Sequence, residues 1–164
     1  MEVLRAVFRY RPPLVPLIHA FKFRGHRGAG RLLEHWMASG WHRHPEMGAP
    51  DALVPVPLHP RREHERGFNQ ARRLADELSR ATRIPVLEAL ERTRDTAHQW
   101  RYRRADRGAR LLDAFRLKPG AEVRRRRLVL IDDVCTTGGT LEGCGRALRR
   151  GGAEDVRAYV LAVT

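Results

Sequence analysis

Residues 128–140 read LVLIDDVCTTGGT. An unbroken apolar run closed by turn-forming residues is what a parallel sheet buries on both of its faces. RLVLID, 127–132, is such a run, and it ends in two adjacent acids, Asp132 and Asp133. Leu141, Cys144 and Leu148 then share one helical face over 140–150, and Gly151 and Gly152 stop the helix. Strand, glycine loop and helix in that order point to β-α-β architecture. The rest of the chain repeats the alternation. ALVPVPL at 52–58 reads as a buried strand that its prolines end. Phe68, Ala71, Ala75 and Leu78 form a helical stripe. IPVLEAL at 84–90 reads as a strand and turn, AFRLK as a short strand, and DVRAYVLAVT as the last strand. Upstream, Leu14, Leu17, Ile18 and Phe21 space a helix ending near Gly25, a second helix covers Arg31 to Ser39, and GWHRHPEMGAPD is a loop. The fold class expected is α/β, a single domain with a central, mainly parallel β-sheet flanked by helices. Residues 1–50 form its helical N-terminal part and 51–164 its core.

The 164 residues, 42% of them hydrophobic, suffice for one domain with a real core. No apolar run nears the roughly 20 residues of a membrane span. The opening MEVLRAVFRYRPP has no apolar stretch long enough for a secretory signal, so a cytoplasmic location is expected. Net charge is +13, carried almost wholly by arginine, with lysine only at Lys22 and Lys118. Arginine forks onto phosphate oxygens, which makes polyanionic ligands natural partners. Cys135 and Cys144 have no zinc-site spacing, and His19, His26 and His35 make no metal pattern with an acid. Arg124 to Arg127 read as a solvated strand entrance.

Two neighbouring carboxylates at a strand end repel each other and lose hydration. Hydrogen-bond donors or a cation make them tolerable. The vicinal hydroxyls of a ribose can each donate to a carboxylate, and Mg²⁺ near those oxygens would help further. The loop Thr136, Thr137, Gly138, Gly139, Thr140 offers hydroxyls, free backbone N–H groups and adaptable φ/ψ, and runs straight into a helix N-terminus. That is a phosphate site. Ribose beside phosphate means a pentose 5-phosphate.

Residues 128–140 resemble the phosphoribosyl pyrophosphate (PRPP) binding motif of type I phosphoribosyltransferases. A narrower resemblance, to the competence-associated ComF family, rests on LIHAFKFRGHRG (17–28), VPVPLHPRREHERGFNQARRLA (54–75) and RTRDTAHQWRYRRADRGARLLDAF (92–115). Arg66, Gly67, Phe68, Asn69 and Gln70 match an R-G-F-N-Q element, and Arg92, Thr96, Gln99 and Arg107 match a second pattern. Tyr102 stands where that family usually has Leu, and Arg110 where it has Asn. The family's usual cysteine-rich zinc module lies before the matched region, so no zinc is expected in this chain.

The resemblance implies the type I phosphoribosyltransferase fold, with 1–50 as its hood. It implies that Asp132 and Asp133 hold the ribose hydroxyls with Mg²⁺ nearby, and that Thr136 to Thr140 cradle the 5-phosphate. Loop 57–66 would hold pyrophosphate through Arg61 and Arg62. Loop 92–110 would close over it with Arg92, Gln99 and Arg107, the two arginines acting with the acids in catalysis. Asn69 and Gln70 would line the pocket. The expected function is transfer of a phosphoribosyl group from PRPP to a nitrogenous acceptor, with release of pyrophosphate, by a homo-oligomer. The alternative is a non-catalytic PRPP-binding module acting in DNA uptake or processing. It would touch a DNA-processing protein or single-stranded DNA, with Trp100 and Tyr102 stacking on bases.

Overall fold

The computed structural model describes residues 3–24, 26–93 and 114–164. Four parallel strands make the sheet, in the order β1-β6-β5-β2. They are β1 (Leu4–Arg9), β2 (Ala52–Pro55), β5 (Arg127–Cys135) and β6 (Asp155–Val163). A separate antiparallel ribbon joins β3 (Leu90–Arg92) to β4 (Phe115–Leu117). Among the described residues the helices are α1 (Leu14–Arg24), α2 (Arg27–Gly40), α3 (Pro60–Arg66), α4 (Gln70–Thr82) and α5 (Gly139–Arg150).

The period of two along β5 sorts its side chains onto two cores. Leu128 and Leu130 pack with Val54, Val156, Ala158 and Val160 under α5 residues Leu141, Cys144 and Leu148. Val129 and Ile131 pack with Leu53, Tyr159 and Leu161 under α1, α2 and α4, through Ile18, Phe21, Leu33, Met37, Leu74 and Leu78. The result is three layers, with α5 and the ribbon on one face of the sheet and α1, α2 and α4 on the other.

Several elements differ from the sequence expectation. Leu4–Arg9, to which no element was assigned, pairs with β6 as an edge strand, so segment 1–50 supplies part of the sheet as well as helices. Residues 60–66, read as loop, form α3. His59 accepts from the Arg61 amide, Pro60 sits in the first turn, and Gly67 ends the helix at φ 77°. These are ordinary start and stop signals. The strand read at 84–90 is one bridge, Val86 to Leu53, and regular pairing starts only at Leu90. The loop 40–51 holds two short 3₁₀ turns, Trp41–Arg43 and Pro45–Met47. Most consequential for the site, β5 runs on to Cys135, so the acids lie inside the strand.

Helix α2 seats closely on β6. The Tyr159 hydroxyl donates to the Met37 carbonyl at 3.0 Å. A Cβ on Gly40 would lie 2.7 Å from that hydroxyl oxygen and 3.1–3.2 Å from both methyls of Val7. Gly40→Ala should therefore cost about 1–3 kcal/mol, as overpacking does, read as a lowered midpoint in thermal denaturation.

Candidate functional site

In an open α/β sheet, ligands bind outside the carboxyl ends of the strands. Here the ends of β2 and β5 frame a cleft of about 140 Å³, lined by Val56, Pro57 and Leu58 from one and Asp132 and Asp133 from the other. Lys22, Arg62, Arg66, Asn69, Gln70, Ala71, Arg92 and Thr140 complete its walls. Because Asp132 and Asp133 are consecutive in a strand, they face opposite sides of the sheet. Asp133 turns toward the α1 face and meets the Lys22 ammonium at 2.9 Å. Asp132 turns toward α5 and also lines a second cavity, of about 130 Å³, walled by Val134 to Leu141. Asp132 and Thr140 belong to both cavities.

The Asp133 amide donates to Asp132 Oδ1 at 2.8 Å. Even so, the Asp132 carboxyl is pushed up to about 7. Lost hydration is the first cause and the Asp133 charge the second, opposed by the Asp133 amide, Lys22 and Arg92. Asp132 is thus poorly compensated, whereas Asp133 has the Lys22 ammonium beside it. Groups that accept hydroxyl donors or approach a cation have this character.

The loop between β5 and α5 leaves a helix start open. Gly138 takes φ 79°, where a side chain is strained. It stands at the N-cap of α5 without any side-chain capping bond. Thr136 and Thr137 are exposed beside it. The first turn of the helix therefore offers its backbone N–H groups toward the second cavity.

The other residues singled out in the sequence divide. Arg62 lines the cleft, whereas Arg61 does not: it is exposed and pairs with Glu65 at 3.0 Å on the surface of α3. That separation follows from α3 being a helix, which turns successive arginines about 100° apart. Arg92 lines the cleft, with its guanidinium 5.4 Å from the Phe115 ring centroid. Asn69 has a structural task. Its Oδ1 caps α4 by accepting from the Ala71 and Arg72 amides, and its Nδ2 donates to the Val56 carbonyl at 3.0 Å. It thereby ties α4 to the end of β2. Gln70 is 2% exposed, and its Oε1 accepts from Arg66 Nη1 at 2.8 Å. Gln99, Arg107, Thr96, Trp100, Tyr102 and Arg110 lie outside the described residues.

Two cleft residues had no role assigned from sequence. Lys22 reaches the site from α1, and one signal was available: it is one of two lysines in a chain whose other basic residues are arginine. Arg66 stacks 5.0 Å above the Phe23 ring centroid. Burial and then the nearby Arg62 charge lower its proton affinity, while Asp133, Glu65 and Asp132 raise it. The strand entrance Arg124–Arg127 is partly neutralised, with Arg126 3.7 Å from Glu122 and Arg127 3.5 Å from Asp51. Among the described residues, no group of three or more His, Cys, Asp or Glu is placed to hold a metal, and no helix is long and apolar enough to cross a membrane.

Residues 64–163 match the phosphoribosyl transferase domain family. Competence protein F of Haemophilus influenzae is 37% identical over 159 residues, covering 93% of this chain and 69% of that protein. DNA utilization protein YhgH of Escherichia coli is 39% identical over 165 residues, covering 98% and 72%. Among solved structures, the glutamine PRPP amidotransferase from B. subtilis, complexed with ADP and GMP, aligns with 80% of this chain and 25% of its own, with a TM-score of 0.50 at 20% identity. That likeness shows the phosphoribosyltransferase fold. With a domain match over most of its length and two such relatives, the chain belongs to the ComF family of phosphoribosyltransferase-type proteins.

Proposed function

We propose that the chain binds PRPP and transfers its phosphoribosyl group to a nitrogenous acceptor. The observation that carries this reading is Asp132, shared by two cavities of different chemistry. One cavity ends at the open N-terminus of α5 and suits the 5-phosphate. The other is lined by Lys22, Arg62, Arg66 and Arg92 and suits the diphosphate end. The acids between them take the ribose hydroxyls, which donate to the carboxylates.

Mg²⁺ fits beside Asp132, whose carboxylate is costly to ionise without a further positive partner. When bound there with PRPP, it would offset the charge of the diphosphate. The protein's own groups do the remainder. In the transfer, the C1–O bond breaks and pyrophosphate leaves with the electron pair. A C1–N bond forms, and the acceptor nitrogen's proton passes to solvent. Positioning of the sugar and stabilisation of the departing anion by the cleft cations supply most of the acceleration. Release of pyrophosphate on mixing PRPP, Mg²⁺ and a panel of nucleobases and amines tests this. No release with any of them, by a protein that binds PRPP, leaves a binding module instead.

Ligand capture should depend on pH through Asp132. Hydroxyls and cations need the ionised carboxylate, so PRPP affinity should rise as pH passes upward through about 7. Calorimetric titration between about pH 6 and 8 reads this. A flat profile would remove Asp132 from the contact.

The relatives' names point to competence and DNA use. A DNA contact through the arginine-rich surface would weaken steeply with salt. It would also survive loss of both acids, which separates it from the transferase reading.

A further inference from the structure

The Gln70 side chain is 2% exposed, yet its Nε2 has no hydrogen-bond partner among the described residues. A buried amide donor left unpaired is costly, and native structures rarely tolerate one without a reason. The orientation of the amide is settled by its neighbour. Arg66 can only donate, so the atom 2.8 Å from Arg66 Nη1 must be Oε1. That leaves Nε2, with two N–H groups, as the unpaired end. Asn69 does not relieve it, since both ends of the Asn69 amide are engaged by α4 and β2. Gln70 lines the cleft that holds the acid pair.

We infer that Gln70 is a binding residue, which donates from Nε2 to an oxygen of the group bound at the reactive end of the sugar. The inference rests on the PRPP reading for the identity of its neighbours. The class of ligand follows from the hydrogen-bond inventory and the charges. An N–H₂ donor needs an acceptor, so a ligand group presenting only N–H there is rejected. Lys22, Arg62, Arg66 and Arg92 line the same cleft, so an oxyanion or a strongly polarised carbonyl is favoured over a cationic amine. Two sources present that oxygen: the diphosphate of PRPP, or an oxo or carboxylate group on the acceptor. Arg66 is then a positioning residue. It fixes which end of the Gln70 amide faces the ligand and itself lies over the Phe23 ring.

The test uses the full chain with Gln70→Leu and Gln70→Glu. Thermal denaturation is followed by calorimetric titration of two probes, inorganic pyrophosphate and orotate. Gln70→Leu, which still melts cooperatively, should bind at least one probe about tenfold more weakly, the factor that loss of one hydrogen bond gives. Gln70→Glu retains the partner of Arg66 and the volume, and should lose more affinity for the same probe. Weakened pyrophosphate binding assigns the oxygen to the leaving group, and weakened orotate binding assigns it to the acceptor. Undiminished affinity in Gln70→Glu overturns the inference, as does a wild type that binds neither probe. If Gln70→Leu proves unstable, Gln70→Glu alone decides. The two readings fail separately. PRPP affinity that ignores Asp132→Asn sinks the pentose site but leaves a Gln70-dependent pyrophosphate affinity standing.

Discussion

Asp132→Asn should melt at a higher temperature than the wild type and lose PRPP. The two effects share one cause. Folding brings the Asp132 carboxyl out of water and beside Asp133, raising its pKa from an ordinary 3.8 to about 7. A carboxyl held above its unfolded value binds more protons folded than unfolded between those two pH values. Its contribution to stability therefore falls as pH rises from about 4 to about 7 and is fully unfavourable above that. An amide carries no such penalty. The expected gain at pH 8 is roughly 1–2 kcal/mol, or about 3–6 °C for a chain of this size, and it should shrink toward pH 4. Affinity for PRPP should fall about 100-fold, since hydrogen bonds to a charged acceptor are worth roughly 1.5–3 kcal/mol. A carboxylate serving only the fold would show the opposite pattern, with stability lost and ligand untouched. Thermal melts across pH, paired with calorimetry, give both readouts.

Lys22→Met should do the reverse to stability. Asp133 is 6% exposed, and Lys22 at 2.9 Å is a cation paired with it. Removing one partner of a fully buried pair costs about 3–5 kcal/mol, and the partial exposure of Lys22 lowers the expectation here to about 2–3 kcal/mol. Adding Asp133→Asn should return much of that loss, because the uncompensated charge is gone. A double-mutant cycle that shows no coupling would mean the pair is incidental. Lys22→Arg should hold stability better than Met. It should still impair PRPP binding, because a forked guanidinium does not fit where a compact ammonium sits between α1 and the acid pair.

Residues 128–140 disclosed a good deal before any coordinates, for a physical reason. Strand, acids, glycine loop and helix start are contiguous in the chain, so their order in the fold is the order of the sequence. The parallel sheet was legible because an apolar run such as Leu128–Ile131 has few other ways to be buried. What escaped is what packing alone brings together. Lys22 and Asp133 are far apart in sequence, and nothing in the local pattern around Lys22 distinguishes it from a solvated helix residue. Helix α3 was read as a loop because it buries none of its residues and so has no apolar stripe, leaving only its terminal signals. Strand β1 escaped because it is a short edge strand, with every residue only partly buried or exposed. Arg61 and Arg62 part company because the segment is a helix, and only Arg62 lines the cleft, whereas an extended loop could aim both at one ligand. Asn69 and Gln70 looked alike as neighbouring amides, and only the hydrogen-bond inventory separates the cap from the unpaired donor.

The central claim is that the acid pair and the loop after it form a working pentose-phosphate site. Calorimetric titration of PRPP with Mg²⁺ into the wild type and into Asp132→Asn/Asp133→Asn tests it most directly. Saturable one-site binding by the wild type, absent from a double variant that still melts cooperatively, is the expected result. Equal binding by both proteins, or none by either, would contradict it.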